Sequence, residues 1–332
     1  ARIETSKIFA KELMLRHSVP TGKAGFFEDY ESALRYLERT ELPVVVKADG
    51  LAAGKGVVMA RTLEAAIDAL RGAMLDKRFG TAGERVLIEE YLQGPEISVF
   101  AFVDGERISS FVAASDYKRV RDGDTGPNTG GMGSYSPPPI WSSAMDRWIR
   151  AKIIEPIVRA LAEDGSPYRG VLYAGLMITA DGPKVIEFNC RLGDPETQVV
   201  LPRLKSDLLA VMLSTACGDL AGVSLEWESH ACVGVVIASG GYPGAYETGY
   251  PIGGLDNTHE DVMLFHAGTK TVSGRVAPKE TGIVSDGGRV LTVAALGSTL
   301  EQARRKAYSG AARISFKNSF YRRDIALLRQ QE

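Results

Sequence analysis

The stretch Val185–Leu204, VIEFNCRLGDPETQVVLPRL, most constrains the fold of this chain, because it joins a strand pattern to a polar turn. Its first residues are β-branched and aromatic, the types that fit a half-buried strand. A second apolar run, Val171–Thr179, precedes it, and Asp181-Gly182 separates the two runs. Because an Asp-Gly pair between such runs indicates a β-hairpin, we predict antiparallel strands over Val171–Thr179 and Pro183–Asn189.

The second strand of this hairpin carries polar side chains at alternate positions. Glu187 and Asn189 are two residues apart, so both side chains leave the same face of the strand. A carboxylate and an amide oxygen side by side are ligands that Mg²⁺ takes together with phosphate oxygens and water. Arg191 continues the alternation with a planar guanidinium that suits phosphate. An ordinary strand with a polar outer face has the same pattern, so this stretch alone leaves both interpretations open.

Composition limits the classes of function. The chain has 332 residues and a formal net charge of −2, which provides no overall basic field for nucleic acid. Its length predicts two or three domains, and apolar runs such as Val233–Ala238 are too short to span a bilayer. The three cysteines lack paired spacing, which favours reduced, buried thiols over a disulfide or a zinc site. We expect a cytoplasmic monomer that acts on small molecules.

A glycine-rich segment lies between two predicted strands. The buried strand Pro43–Lys47 ends in a lysine, and Ala48–Gly56 then leads into the strand Val57–Ala60. The glycine spacing matches neither a Walker A loop nor the dinucleotide fingerprint, but it suits a hairpin that covers phosphates. A flexible turn with solvated lysines is the alternative. Because burying Lys47 is costly unless its ammonium meets an anion or water, we favour the phosphate interpretation, with Lys55 as a second cation.

Helical spacing and strand alternation predict the remaining elements. We expect helices over Ser6–Arg16, Glu28–Thr40, Thr62–Asp76, Ser142–Asp164, Ser206–Cys217 and Leu300–Ile314. We expect strands over Arg85–Tyr91, Glu96–Val103, Arg107–Ala113, Ala231–Ala238, Gly253–Leu255, Val262–Ala267, Gly268–Val272, Gly282–Ser285 and Arg289–Leu296.

Two connections between these elements are candidates for ligand binding. Glu89–Leu92 ends a strand with free backbone groups and apolar side chains that can hold a base edge, and Glu96 lies close enough to bind ribose hydroxyls. An acidic connection without a ligand is the alternative. The irregular stretch Ser115–Pro139 is too long for an ordinary loop and too varied for a disordered one. We therefore predict that it is a substrate-binding loop.

The chain resembles the glycinamide ribonucleotide synthetase (phosphoribosylamine–glycine ligase) family in four stretches: PVVVKADGLAAGKGVV, DYKRVRDGDTGPNTGGMGSYSP, VIEFNCRLGDPETQ and SFYRRDIA. The resemblance covers nearly the whole chain and places it in the ATP-grasp superfamily. It implies an α+β ATP-grasp fold, in which a small lobe with the glycine-rich loop and a larger antiparallel-sheet lobe hold ATP. It also implies ATP-dependent ligation of glycine to 5-phosphoribosylamine, which gives glycinamide ribonucleotide, ADP and phosphate in purine biosynthesis.

The resemblance implies roles for individual residues toward ATP and a metal. Phosphates, adenine and ribose would be bound by Lys7, Lys47, Gly54, Lys55, Gly56, Glu89, Glu90, Tyr91, Leu92 and Glu96. Mg²⁺ or Mn²⁺ would be bound by Glu187 and Asn189.

The resemblance also implies a set of residues for the two other substrates and for catalysis. Arg191, Lys55 and Asp194 would act in catalysis, through a glycyl phosphate intermediate whose formation brings two anions together. Glycine and 5-phosphoribosylamine would be bound by Asp116, Lys118, Asn128, Thr129, Gly130, Gly131, Met132, Gly133, Asp194, Pro195 and Glu196.

The resemblance predicts domains as well. We expect the large lobe over residues 1–19 and 92–224, the small lobe over 20–91 and a β-rich C-terminal domain over 225–332, without the family's N-terminal domain. The alternatives are another ATP-grasp carboxylate–amine ligase or carboxylase, and an ATP-binding module without full activity. Release of ADP that depends on glycine distinguishes these possibilities.

Overall fold

The computed structural model describes residues 1–50, 56–257, 261–272 and 282–327. The chain divides into two units, each assembled from separate segments. The first unit contains Ala1–Phe111, Ser142–Arg191 and Met212–Val223, and the second contains Val112–Trp141, Leu192–Val211 and Ser224–Glu332. The two units are defined by contacts between residues, and their bounds differ from those of the predicted lobes. The lobe boundaries therefore stay predictions.

Two helices of the described residues have capping side chains at Ser6 and Thr62, where the sequence predicts the helices to start. The Ser6 hydroxyl accepts a hydrogen bond from the Phe9 amide, and the Thr62 hydroxyl accepts one from Ala65, which satisfies amides that lack a partner within the helix. The helices α1 to α9 span Arg2–Thr5, Lys7–Arg16, Tyr30–Leu37, Leu63–Met74, Ser143–Ile149, Glu155–Glu163, Thr197–Val200, Leu208–Cys217 and Leu300–Ala311.

Most strands follow the predicted apolar runs, with most ends within two residues, whereas β1, β7, β8 and β9 were not predicted. The strands β1 to β16 span Ala24–Phe27, Val44–Ala48, Val57–Ala60, Val86–Glu90, Glu96–Asp104, Val112–Asp116, Arg119–Arg121, Thr125–Asn128, Gly133–Ser136, Arg169–Thr179, Gly182–Asn189, Ala231–Ala238, Val262–His266, Thr269–Thr271, Ile283–Ser285 and Arg289–Gly297.

The first unit contains a four-stranded sheet in the order β1-β4-β2-β3, with antiparallel neighbours. Its core is formed by Val44, Val46 and Ile88 of the sheet together with Leu37 of α3 and Leu70 of α4, all of which are buried. Burying side chains of this size stabilises the fold by about 1.5–3 kcal/mol each. The apolar face of each helix thus fixes the small sheet that carries the glycine-rich segment.

The first unit also contains the predicted hairpin, in which β10 pairs with β11 on one side and with β5 on the other. The turn at Asp181-Gly182 is present, and the Gly182 backbone has a φ of 109°, a region that favours glycine. The helix predicted over Ser142–Asp164 is divided by a π-helical turn over Arg150–Ile154. Pro156 lies in the first turn after it and lacks the amide that would bond a preceding carbonyl.

The second unit contains the strand order β6-β9-β12-β16-β13, again with antiparallel neighbours. Helix α9 packs on this sheet through Ala303, Ala307 and Ala311, against buried Val233 and Val293. The small alanine side chains allow the helix to approach the sheet closely. This arrangement confirms a β-rich region with one closing helix near the end of the chain.

The prediction of a strand over Arg107–Ala113 is wrong for its first five residues, because β6 begins at Val112. The buried Asp104 carboxylate accepts hydrogen bonds from the amides of Glu106 and Arg107 and folds the chain into a turn. The Arg150 guanidinium then binds the carbonyls of residues 108 and 109. In this segment, Ile108 forms a single antiparallel bridge to Val103 of β5.

Two other expectations need correction. The stretch Ser115–Pro139 is less irregular than predicted, since it contains β7, β8 and β9. The predicted strand Gly253–Leu255 is a single bridge from Gly253 to Ser315, because Gly254 has a φ of 87° and turns the backbone.

The cysteines are free as predicted, although Cys232 is buried and Cys217 is exposed. No helix of the described residues is long and apolar enough to cross a membrane.

Candidate active site

A cavity of about 340 Å³ lies within the first unit. Its walls come from α1, α2, the ends of β2 and β3, strand β4 and the end of β11. Charged and amide side chains dominate its polar lining, and these are Glu4, Lys7, Lys11, Lys47, Glu89, Glu187, Asn189 and Arg191. Six of these eight residues belong to the set that the sequence singles out for ATP, a metal or catalysis.

One carboxylate in this cavity is shared by two lysines. Glu89 Oε2 lies 2.7 Å from Lys47 Nζ, and Glu89 Oε1 lies 2.9 Å from Lys11 Nζ, with all three side chains buried. Burial by itself raises the pKa of the Glu89 carboxyl, but the two ammonium groups outweigh it and hold that pKa below its ordinary value. We call these three residues the Glu89 cluster. It contains one more cation than anion.

The sheet register places Lys47 beside Glu89. Lys47 lies opposite Leu87 in the antiparallel pair β2-β4, and Glu89 is two residues further along the same face of β4. The Lys47 ammonium also donates to the carbonyl of Ile186 in β11, at 3.3 Å. The lysine that the sequence places at the end of a buried strand therefore points into the cavity, with partners that make its burial tolerable.

Helix α2 contributes two lysines to the same cavity. Lys7 and Lys11 are four residues apart and so lie on one face of the helix. Lys7 Nζ donates to the carbonyl of Gly50 at 2.7 Å, and burial lowers the pKa of its ammonium. Lys11 Nζ donates to Thr21 Oγ1 and to the Gly22 carbonyl, and burial lowers its pKa as well. The sequence analysis missed Lys11, which its spacing from Lys7 would have revealed.

Strand β11 carries the predicted alternation of polar side chains. Glu187 and Asn189 at the end of β11 and Arg191 just beyond it all line the cavity. Arg191 Nη2 donates to Asn189 Oδ1 at 3.3 Å, and its Nε donates to Glu4 Oε1 at 3.0 Å. Glu4 also accepts the Cys190 amide at 2.8 Å. The sequence analysis missed Glu4, which orients Arg191 from a helix 187 residues earlier in the chain.

The donor set at Glu187 and Asn189 fits a hard divalent cation. The Asn189 amide and the Glu187 carboxylate are neighbours, with 3.5 Å between Nδ2 and Oε1. The described residues contain no group of three or more His, Cys, Asp or Glu side chains that could hold a metal ion by themselves. A cation at this pair would therefore take its remaining ligands from phosphate and water, the manner in which Mg²⁺ usually binds.

The other predicted nucleotide-binding residues lie near this cavity or outside the described residues. Gly56 lines the cavity, whereas Gly54 and Lys55 lie outside the residues that the structure describes. Four predicted residues lie where β4 ends and β5 begins, and they are not among the residues that line the cavity. Glu90 ends β4, Tyr91 and Leu92 lie on the connection, and Glu96 begins β5. Glu90 is bound to Lys184 at 3.2 Å.

The predicted substrate residues of the second unit meet around an arginine that the sequence analysis missed. Arg289 Nη2 lies 2.9 Å from Asp194 Oδ2, and its Nη1 donates to the carbonyls of Gly130 at 2.7 Å and Asp194 at 2.9 Å. Arg289 thus joins two predicted substrate segments that are distant in sequence. Its position between a glycine pair and an apolar strand was the available signal.

The other members of this substrate set are held by backbone contacts. The Thr129 amide and hydroxyl both donate to the Lys118 carbonyl, and the Gly131 amide donates to the Thr129 hydroxyl. Met132 is fully buried beside Val120, its amide donates to the Tyr117 carbonyl, and its carbonyl accepts the Val236 amide. The remaining residues lie in the same unit, with Asp116 and Asn128 at strand ends, Gly133 beginning β9, and Pro195 and Glu196 preceding α7.

Comparison with known proteins decides the family. Residues 5–197 match the model of the phosphoribosylglycinamide synthetase ATP-grasp (A) domain, and residues 232–328 match the C domain of the same family. The chain belongs to the phosphoribosylglycinamide synthetase family. This synthetase-family chain is 50% identical to the phosphoribosylamine–glycine ligase of Halalkalibacterium halodurans, over 98% of the chain and 74% of that relative. It is 47% identical to the ligase of Vibrio parahaemolyticus, over 100% of the chain and 77% of that relative.

Solved structures agree with the family. The phosphoribosylamine–glycine ligase of Thermotoga maritima superposes on 98% of this synthetase-family chain and 79% of its own, with a TM-score of 0.84 at 35% identity. The N5-carboxyaminoimidazole ribonucleotide synthetase of the same organism shares the fold alone, with a TM-score of 0.62 at 17% identity. The predicted α+β ATP-grasp fold is confirmed.

Proposed function

We propose that this chain catalyses the ATP-dependent ligation of glycine to 5-phosphoribosylamine, in de novo purine biosynthesis. The products are glycinamide ribonucleotide, ADP and phosphate. The observation that carries the proposal is one cavity that combines the cationic Glu89 cluster with Glu187 and Asn189, in a member of the synthetase family. Relatives that are 47–50% identical over nearly the whole chain have this activity in their names.

The Glu89 cluster is suited to the phosphates of ATP. Its two ammonium groups share one carboxylate, so an anionic ligand can bind the excess positive charge. Lys7 adds a third ammonium from the neighbouring turn of α2. We assign phosphate binding to Lys7, Lys47 and the glycine-rich loop that ends at Gly56. The β4–β5 connection with Glu90, Tyr91, Leu92 and Glu96 is assigned to adenine and ribose.

Glu187 and Asn189 would hold a divalent cation, Mg²⁺ or Mn²⁺, against the phosphate oxygens. When bound, the cation neutralises charge on the transferred phosphoryl group. Arg191, held by Glu4, points its guanidinium at the same region and supplies positive charge where two anions approach. These residues stabilise charge and position groups, which accounts for most catalysis in phosphoryl transfer.

The reaction then proceeds in two steps between the substrates. A carboxylate oxygen of glycine attacks the γ-phosphorus, the bond to the β-phosphate oxygen breaks, and ADP leaves glycyl phosphate behind. The amine of 5-phosphoribosylamine attacks the activated carbonyl, loses a proton and expels phosphate. In the second unit, we assign substrate binding to residues 128–133 and to Asp194, whose segments Arg289 holds together. The assignments of a monomeric state, a cytoplasmic location and no nucleic-acid partner stay predictions.

The double variant Glu187→Ala, Asn189→Ala tests this assignment in the full-length protein. We expect glycine-dependent ADP release to fall at least 100-fold, because two like-charged reactants would meet without a cation. The matched control is Asp181→Asn on the same hairpin, where an exposed carboxylate makes only a 3.8 Å contact to Lys184. Near-normal ADP release by the double variant would refute the metal assignment, and wild-type ADP release with bicarbonate in place of glycine would favour a carboxylase.

A further inference from the structure

The segment SFYRRDIA, which the family resemblance singles out, has no part in the chemistry proposed above. In the structure it follows α9 and carries Arg322, whose side chain is only 1% exposed. A fully buried guanidinium is costly unless its donors are bound. An apolar residue would fill the same space without this desolvation cost. The contacts of the Arg322 guanidinium therefore indicate its role.

The Arg322 guanidinium is bound on every side. It binds Asp324 in a bidentate manner, with Nε to Oδ1 at 2.8 Å and Nη2 to Oδ2 at 2.7 Å. Its Nη1 donates to Asp124 Oδ1 and to the Arg119 carbonyl, both at 2.9 Å. The guanidinium carbon also lies 4.6 Å from the centre of the Tyr117 ring, a cation–π distance. We call Arg322, Asp124, Asp324 and Tyr117 the Arg322 cluster.

Two of these contacts, those with Asp124 and with the Arg119 carbonyl, fall on one small hairpin. Strands β7 and β8 form a two-stranded sheet, and Gly123 and Asp124 at its turn have φ values of 68° and 54°, which suit a tight hairpin turn. A two-stranded hairpin is marginally stable by itself, and the four residues of β8 are exposed. The hairpin therefore depends on contacts from elsewhere in the unit for a fixed position.

The C-terminal segment provides further contacts to the hairpin. Asp324 Oδ2 accepts the Gly123 amide at 2.9 Å, and Asp122 Oδ1 accepts the Arg323 amide at 2.8 Å. The Ala326 amide donates to the Tyr117 hydroxyl at 3.0 Å. Helix α9 holds the segment in turn, because the Tyr308 hydroxyl donates to the Arg322 carbonyl and accepts the Ile325 amide. Helix α9 therefore holds the C-terminal segment, and this segment holds the hairpin through Arg322 and Asp324.

The hairpin leads directly into the proposed substrate segment. Residue 118 precedes β7 and Asn128 ends β8, and the Lys118 carbonyl accepts both the amide and the hydroxyl of Thr129. We propose that Arg322 is a positioning residue, which holds the β7–β8 hairpin so that Lys118, Asn128 and Thr129 meet the substrate. This inference rests on the proposed function and adds to it a residue that touches no substrate.

The variants Arg322→Lys and Asp124→Asn test the inference in the full-length protein. Lysine keeps the charge but loses the planar fork. Asp124→Asn keeps an acceptor oxygen but removes the negative charge from one contact to the hairpin, while Asp324 still binds Arg322. The control is Arg305→Ala, which removes an exposed pair with Glu301 on α9. The readouts are KM values for 5-phosphoribosylamine, glycine and ATP, and hydrogen exchange of peptides that cover residues 117–129.

We expect Arg322→Lys to raise the KM for glycine or 5-phosphoribosylamine at least tenfold, with the KM for ATP changed less than twofold. Asp124→Asn should raise the same KM by a smaller factor. Both variants should increase the rate of amide hydrogen exchange in the hairpin peptides at least fivefold. Equal changes in all KM values, or unchanged hairpin exchange, would overturn the inference. If the wild-type protein releases no ADP with glycine, the proposed function and the substrate role of Arg322 fail together, whereas hydrogen exchange still decides whether Arg322 holds the hairpin.

Discussion

Among the described residues, each unit contains a charge cluster around a buried side chain, Glu89 or Arg322, and the two clusters differ in the sign of their excess charge. The Glu89 cluster of the first unit has two ammonium groups around one carboxylate and lines a cavity. The Arg322 cluster of the second unit has one guanidinium between two carboxylates and an aromatic ring. A cationic excess beside a cavity suits an anionic ligand, whereas a cation enclosed by protein groups can only hold other segments. Buried charge by itself therefore does not identify a binding site.

The largest effect should come from Glu89→Gln, which leaves two buried ammonium groups without their carboxylate. Breaking a buried ion pair by removal of one partner costs about 3–5 kcal/mol of unfolding free energy. The measurement is urea unfolding, with Glu90→Gln as the control, because the single pair between Glu90 and Lys184 is partly exposed and worth about 0–1 kcal/mol. Equal losses in the two variants would remove the distinction between the cluster and an ordinary ion pair.

An intermediate effect is expected on ATP affinity, which should differ between substitutions of the two lysines of the Glu89 cluster. Lys11 has three oxygen partners in the protein, whereas Lys47 has Glu89 and one carbonyl and is the more exposed side chain. We expect Lys47→Met to weaken ATP binding by about tenfold or more, the value of one charged hydrogen bond. Lys11→Met should weaken it less than threefold. Calorimetric titration with ATP measures both, and the reverse order would assign the phosphate contact to Lys11.

The smallest effect concerns the pH dependence of stability in the Arg322 cluster. Burial raises the pKa of the Asp324 carboxyl, but hydrogen bonds from Arg322 and the Gly123 amide outweigh it and lower that pKa to about 2. Because the carboxyl has its ordinary pKa in the unfolded chain, its contribution to stability is complete above about pH 4. That contribution is lost as the pH falls from about 4 to about 2.

The comparison of wild type with Asp324→Asn isolates this titration from other carboxyls. The difference between their unfolding free energies should be constant above about pH 5 and should shrink as the pH falls toward 2. The charged and titratable groups that interact with Asp324 include Arg322, Asp122, Tyr117 and Tyr308, and Asp124 shares Arg322 with it. A difference that does not change with pH would show that Asp324 stabilises the cluster through packing alone.

Local patterns predicted much of the first unit. The hairpin at Asp181-Gly182, the helix starts at Ser6 and Thr62, and the alternation of Glu187 and Asn189 all depend on residues within a few positions of one another. Such features follow from turn chemistry and from the two-residue period of a strand, which hold in any fold. The prediction over Arg107–Ala113 was wrong for the opposite reason, because Asp104 and Arg150 bind backbone groups that the pattern assigned to a sheet.

The sequence by itself determined which segments form strands and helices, which lysine ends a buried strand and which side chains leave β11 together. Only the tertiary structure decided that Lys11 shares Glu89 with Lys47 and that Glu4 binds Arg191. It also decided that Arg289 joins Gly130 to Asp194 and that Arg322 binds the β7–β8 hairpin. Arg322 and Asp124 are 198 residues apart, and Arg289 and Asp194 are 95 residues apart. Contacts between residues so far apart in sequence are fixed by the packing of the whole fold. The helical and strand periods of a sequence describe only nearby residues and cannot predict such contacts.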